Sequence, residues 1–171
     1  WAVDCAAQLQ EKVISAYDDY VFLQIYQAVH HFCSVDLGSF YLDVTKDRLY
    51  TMGTNSHGRR SAQTAMYHIT QAMVRWIAPI LAFTSEEIWD ALPGAKAVSE
   101  TVLTQTWYPG LAPYDSAQRG ESRALWSRVR AVREAASREI ESLRKAGGVG
   151  SSLAAELNIY ADAENLQALS T

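Results

Sequence analysis

The chain has 171 residues, 49% of them hydrophobic, and 15 Lys and Arg stand against 19 Asp and Glu for a formal charge of −4. That is enough apolar material for one well-filled core, or one core and the start of a second unit, and it excludes a disordered tail. The acidic balance excludes indiscriminate coating of nucleic acid or membrane, and no apolar run approaches bilayer length.

The spacing predicts a first helix over about Ala2 to Tyr17, with Cys5, Leu9, Val13, Ala16 and Tyr20 forming an apolar stripe. No signal peptide precedes it, and an opening on Trp1 in mid-pattern reads as a piece of a longer polypeptide. Asp18-Asp19 is read as a break and as an N-cap for the next helix. The second helical stretch carries Phe22, Ile25, Val29, Phe32, Leu37, Phe40 and Val44 down to about Tyr50. Gly38 inside it predicts a kink or a close approach to a neighbour. Met52 to Gly58 is a polar, turn-forming loop. The third helix has the cleanest pattern, with Ala62, Ala65, Met66, Ile69, Ala72, Met73 and Trp76 on one face, and Pro79 ends or kinks it.

Thr84-Ser85-Glu86-Glu87 reads as a capping box opening a short helix through Ile88, Trp89 and Leu92, which Pro93-Gly94 closes. From about Ala95 to Arg119 the pattern is that of a loop, anchored by Thr101-Val102-Leu103 and Thr106-Trp107-Tyr108. A long helix follows from about Glu121 to Lys145, turning Leu125, Val129, Val132, Ala136, Ile140 and Leu143 inward. Gly147-Gly148-Val149-Gly150 then reads as a helix C-cap and flexible junction. Leu157 to Ala161 alternates like a strand, and Ala163 to Leu169 makes one short helix. The expected fold is mainly α: an antiparallel helical bundle over 1–146, then a junction and the truncated start of a small α/β unit over 147–171.

No catalytic apparatus is legible. There is no phosphate-binding glycine loop after a strand, no nucleophile elbow, and no His and carboxylate set on one helical face. The 147–150 glycines follow a helix, the reverse of a dinucleotide-binding turn. Cys5 and Cys33 read as free buried thiols of a reducing cytosol, and His30-His31 as structural. Catalytic and metal-binding residues are therefore expected to be absent. Trp76, Trp89 and Trp107 lie in apolar context and read as core.

Charge is the better signal, because it is segregated. Residues 1–43 hold Asp4, Glu11, Asp18, Asp19, Asp36 and Asp43 against Lys12 alone, whereas 44–75 hold Lys46, Arg48, Arg59, Arg60 and Arg75 against Asp47. Lys46 and Arg48 fall near a helix C-terminus, where the dipole welcomes cations, so a solvated face accounts for them as well as an anion site does. Arg59 and Arg60 fall at a helix start, where the dipole costs each a few tenths of a kcal/mol, and that placement asks for a phosphate or carboxylate. Asn55, Ser56 and His57 between the two sets are placed to hydrogen-bond bases or sugars. The basic residues of the last helix are interleaved with Glu121, Glu134, Glu139 and Glu141 and read as a salt-bridged face, Arg130 with Glu134 among the pairs.

Three stretches carry a resemblance: Phe40-Tyr-Leu-Asp-Val-Thr-Lys-Asp-Arg-Leu-Tyr50, Arg59-Arg-Ser-Ala-Gln-Thr64, and Val74-Arg-Trp-Ile-Ala-Pro-Ile-Leu-Ala-Phe-Thr-Ser-Glu-Glu-Ile-Trp89. With Trp107-Tyr108 and Gly150-Ser-Ser-Leu-Ala-Ala155, the chain resembles the bacterial isoleucyl-tRNA synthetases, class Ia aminoacyl-tRNA synthetases, downstream of their catalytic core. Valyl and leucyl enzymes share the Pro79, Thr84, Glu87 and Trp89 pattern, and their equivalent domain is the near alternative. Lys46 to Tyr50 with Arg59-Arg60-Ser61 resembles the isoleucine branch.

The resemblance implies a class Ia anticodon-binding domain that holds the anticodon stem-loop of isoleucine tRNA. A separate catalytic domain of the same polypeptide would activate isoleucine with ATP. It also implies a cytoplasmic monomer, and places the catalytic signatures, the editing domain and a zinc segment outside these residues, which then need no cofactor of their own. Lys46, Arg48, Arg59, Arg60 and Asn55 would contact the RNA, with Arg75 as a further candidate that also suits pairing within the bundle. Arg144 and Lys145 are candidates for their place at the junction with the next domain. The rival reading from the residues alone is a helical protein-interaction module docking an acidic partner.

Overall fold

The computed structural model describes residues 1–111, 116–163 and 165–166, with only the backbone of 116–122 and of 153. It is mainly α, and no strand forms among the described residues. Two compact units divide the chain: Ala2–Pro113, and Tyr114–Thr171 together with Trp1.

The first unit is built on α1 (Ala2–Asp18), a long helical rod of α2 (Phe22–His31), a π-helical segment (Phe32–Leu42) and α3 (Asp43–Thr51), and then α4 (His57–Ile77). Helix α1 packs on α2 and α4, and α3 packs on α4. Leu9, Val13 and Ala16 of the expected α1 stripe are buried, as are Ala62, Ile69, Ala72 and Trp76 of α4. Cys5 and Cys33 are not joined by a disulfide and are only half buried, and burial raises the Cys33 thiol above its ordinary pKa. His30 and His31 are both exposed at the end of α2, with the His30 ring 5.7 Å from that of Tyr26.

The break after α1 is not made by Asp18-Asp19 acting as caps. Tyr20 takes the left-handed conformation (φ 57°), its N–H donates to Tyr17 O (3.1 Å), and Val21 N–H reaches back to Ala16 O (2.8 Å). This is a Schellman turn with tyrosine where glycine is the comfortable residue. Helix α2 then starts from Val21 with no side-chain cap.

The π segment has a geometric consequence. Ile25 and Thr45 are both buried, yet on an unbroken α-helix their 20-residue separation would put them about 200° apart. The wider i→i+5 turns between them delay the rotation, so both ends of the rod keep a face on the bundle. Gly38 sits in this segment, and a Cβ there would lie 3.0 Å from Cys33 O. The close approach expected at Gly38 is therefore to its own helix.

Beyond Pro79 the chain turns through Ile80 and Leu81, both bonded to Ile77 O, into α5 (Ala82–Ala91). The expected capping box does not form. Helix α5 starts ahead of Thr84, Leu81 is its uncapped N-cap, and Ser85 is fully buried inside the helix with no hydrogen-bond partner for its Oγ among the described residues. Glu86 is drawn elsewhere: its Oε1 accepts from the Thr101 hydroxyl and from Val102 N–H (3.1 Å). It thereby ties down the segment expected to be loop, which contains α6 (Ala95–Val98) and a 3-10 turn (Val102–Thr104). Val74, Ala78, Trp89, Ala95 and Val102 close a core there, and Trp89 donates its indole N–H to Ser99 O (2.9 Å). Replacing Glu86 by Ala strips two donors of their shared acceptor. The expected loss is about 1–3 kcal/mol, readable as a lowered denaturation midpoint.

In the second unit, α7 (Ser116–Lys145) begins earlier than the expected Glu121. Its expected inward face is at most half buried, and Leu143 is exposed. Gly147 (φ 78°) donates to Arg144 O and Gly148 to Leu143 O, a Schellman cap that fits the expected role of the glycines. A 3-10 turn follows at Ser152–Ala154. The strand expected over Leu157 to Ala161 is absent: 155–162 pairs with nothing as a ladder among the described residues, and alternation alone cannot make a strand without a neighbour to bond. The small α/β unit is accordingly not formed among the described residues. Asp162 Oδ1 accepts from Asn165 N–H (2.8 Å) at the start of the expected short helix, whose residues 167–169 lie outside those described.

Candidate nucleic-acid interface

The basic cluster gathers where α3 hands over to α4. Arg48 lies in the last turn of α3. Met52 leaves the helix in extended conformation, and the loop ends at Ser56, whose Oγ caps α4 by accepting from Arg59 N–H (3.4 Å). Ser56 is thus engaged in the fold, while Asn55 and His57 remain exposed. Arg59 and Arg60 occupy the start of α4, and its first turn contains no acidic residue. The unfavourable dipole placement expected from sequence is real.

The five side chains are not equivalent. Lys46 is ion-paired to Asp43 at 2.8 Å, with both groups largely in solvent, so the pair adds little to stability. Arg59 folds back and donates through Nη1 to Met52 O (3.2 Å), while its Nε is buried without a partner among the described residues. It therefore closes the loop between the two helices. The aliphatic stem of Arg48 runs alongside Gly58, where an added Cβ would meet Arg48 Cδ at 3.8 Å, which puts Arg48 against the first turn of α4. Arg48 also stabilises the phenolate form of Tyr41, although burial dominates and raises that pKa overall. Among the described residues, the Arg48 and Arg60 guanidiniums have no hydrogen bond or ion pair. Arg60 lines a groove of about 500 Å³ with His57, Ser61, Thr64 and His68, a wall of donors with no carboxylate.

Arg75 belongs to the interior. It donates to Gln71 O (2.5 Å) and Gln71 Oε1 (2.6 Å), and its guanidinium lies 4.8 Å from the Trp89 ring centre and 5.1 Å from that of Tyr108. Burial lowers its pKa, though not enough to discharge a guanidinium. Arg144 and Lys145 lie in the other unit, at the end of α7. Arg144 is held in a two-pronged pair by Glu141 (2.8 and 2.7 Å). Glu134 pairs with Arg138, and Arg130 lies 5.1 Å over the ring of Trp1. Trp107 departs from the expected core role, being part exposed against Tyr17.

Sequence reasoning overlooked the far end of the bundle. Tyr17 ties the ends of α1 and α4 through its hydroxyl, which donates to Trp76 O (2.6 Å). Around this tie Tyr20, Phe22, Leu23, Ile80, Leu81 and Phe83 are exposed, Phe83 by 90%. Apolar residues next to helix-ending turns were the available signal.

The described residues define a mainly helical domain with a basic helix junction, and residues 1–159 match the family described as the anticodon-binding domain of tRNA ligase. The chain belongs to that family. Its relatives narrow the branch: it is 54% identical to the isoleucine–tRNA ligase of Methylococcus capsulatus over 95% of its own length, 55% identical to that of Thioalkalivibrio sulfidiphilus over 99%, and 49% identical to that of Nitrosococcus oceani over 99%. It spans only 17–18% of the length of these relatives.

Proposed function

We propose that this chain holds the anticodon stem-loop of isoleucine tRNA as one module of a cytoplasmic, monomeric isoleucine–tRNA ligase. The observation that carries the reading is Arg60. It is a cation in the first turn of a helix without acids, beside Arg48 and a carboxylate-free groove, in a member of an anticodon-binding family. Arg48 and Arg60 take RNA phosphates, Lys46 joins them by exchanging Asp43 for phosphate, and Arg59 shapes the loop that carries Asn55 to the bases. Phosphate contacts set the position, and base edges in the unstacked loop set identity.

The exposed apolar end is the face turned to the catalytic domain of the same polypeptide. Among the described residues no three His, Cys, Asp or Glu side chains gather as a metal site would require. Zinc and ATP are assigned to other segments of the full-length ligase.

The test is salt dependence. Binding of an RNA hairpin with the anticodon stem and loop of isoleucine tRNA is followed by fluorescence anisotropy across a salt series. Arg60→Ala is expected to lower the magnitude of the log K against log salt slope by about one, the signature of one lost phosphate contact. An unaltered slope would remove Arg60 from the interface.

A further inference from the structure

One buried side chain on α4 plays no part in the basic junction or in the core contacts. Gln71 is only 4% exposed, at a position where an apolar residue would pack without the cost of burying an amide. Its Nε2 donates to the Tyr67 hydroxyl (2.9 Å) and its Oε1 accepts from Arg75 (2.6 Å). Arg75 is in turn held between the Trp89 and Tyr108 rings and reaches Gln105 Oε1 (3.4 Å). Tyr108 is itself fixed by a 2.7 Å hydrogen bond between its hydroxyl and His68 Nδ1. A guanidinium sandwiched between rings and a satisfied buried amide form a stiff relay. What it fixes is the Tyr67 phenol, whose other side is open.

The Tyr67 side chain is 37% exposed and borders a shallow groove of about 250 Å³ shared with Arg60, Gln63 and Thr64. These four lie at i, i+3, i+4 and i+7, one face of the helix, continuing upward from the basic junction. The groove thus offers an aromatic face, an amide with both donor and acceptor, a hydroxyl and a guanidinium with no hydrogen bond or ion pair among the described residues. No carboxylate lines it. Aromatic rings and guanidinium planes beside an amide suit an unstacked nucleobase, whose edge needs a donor and an acceptor together.

We propose that Tyr67, Gln63 and Arg60 form a seat for one unstacked base of the bound RNA, with Gln71 and Arg75 as positioning residues behind the ring. This rests on the RNA-binding reading above and deepens it, because it extends the interface along α4 and gives Arg75 a part without RNA contact.

The experiment uses the isoleucine anticodon hairpin and a series in which each loop base in turn is made abasic. Tyr67→Ala is expected to weaken hairpin binding roughly 5- to 100-fold, the range of one lost base–aromatic stack. The salt slope should stay unchanged, since no charge is removed. Tyr67→Phe keeps the ring but loses the hydrogen bond from Gln71, so it should weaken binding about as much as Arg75→Met and less than Tyr67→Ala. At one abasic position, Tyr67→Ala should cost nothing further. Arg75→Met is expected to weaken binding of the intact hairpin, to leave the salt slope alone, and to be silent in the Tyr67→Ala background. If Tyr67→Ala does not fold, as judged by circular dichroism, Tyr67→Leu takes its place.

The seat is overturned if the Tyr67 variant binds as the wild type does, or if its loss is the same on every abasic hairpin. Arg60→Ala still flattening the salt slope in that case would leave the RNA-binding reading standing. No binding of the hairpin by the wild type would take down both.

Discussion

A chain carrying Arg48→Glu and Arg60→Glu is expected to bind the isoleucine anticodon hairpin at least about a hundredfold more weakly than the wild type at physiological salt. Each charge-assisted contact is worth about 1.5–3 kcal/mol. Two lost contacts therefore exceed the roughly 2.8 kcal/mol that separates affinities a hundredfold apart, before repulsion from the new carboxylates is added. Stability should move differently. A carboxylate at position 60 would sit in the first turn of α4, where the dipole favours an anion by about 0.3–1 kcal/mol, while one at position 48, in the last turn of α3, loses a comparable amount. The variant should thus melt near the wild type and yet fail to bind, which separates a binding role from a folding one. Lys46→Glu should cost less, because its ammonium already has Asp43 at 2.8 Å. Wild-type affinity in the double variant would move the interface away from this junction.

Trp76→Ala is expected to remove about 3–5 kcal/mol of folding stability, the range for truncating a large core aromatic. Trp76 is wholly buried, with Phe32 from the π segment packed 6.4 Å away. Its indole N–H donates to Gln10 Oε1 (2.9 Å), and Gln10 Nε2 donates on to Tyr108 O (3.0 Å). Truncation leaves a cavity and strips the Gln10 acceptor of its donor, so the upper part of the range applies. Against a total of about 5–15 kcal/mol for a domain of this kind, that is enough to populate unfolded chain at physiological temperature. A urea titration by circular dichroism reads it as a lowered midpoint with little change in slope. A midpoint within error of the wild type would mean that Trp76 is not the centre of this core.

Much of the bundle was legible because helix periodicity is a local signal. The α4 face repeats at three- and four-residue steps, and four of its seven expected residues are buried while Ala65, Met66 and Met73 are half buried. The junction cluster was legible too, since Arg59 and Arg60 follow directly on a polar loop and must open the next helix. What failed depended on partners distant in sequence. Thr84 and Glu87 fit a capping-box pattern locally, but α5 starts ahead of them at Ala82, where the turn after Pro79 brings the chain in, and the neighbouring Glu86 is taken by Thr101 and Val102. Leu157 to Ala161 alternates as a strand does, yet nothing among the described residues supplies the ladder.

By itself the sequence determined where the long helices run, where positive charge accumulates, and to which family the pattern belongs, because propensity, periodicity and charge run are written in neighbouring residues. Only the tertiary structure decided how the basic residues divide their labour. Arg75 is spent between Trp89 and Tyr108, Arg59 on the Met52 carbonyl, and Lys46 on Asp43, whereas among the described residues Arg48 and Arg60 keep their guanidiniums open. The physical reason is that a cation's availability depends on which acceptors and rings the fold brings within a few ångströms of it, and for Arg75 those lie up to 33 positions along the chain.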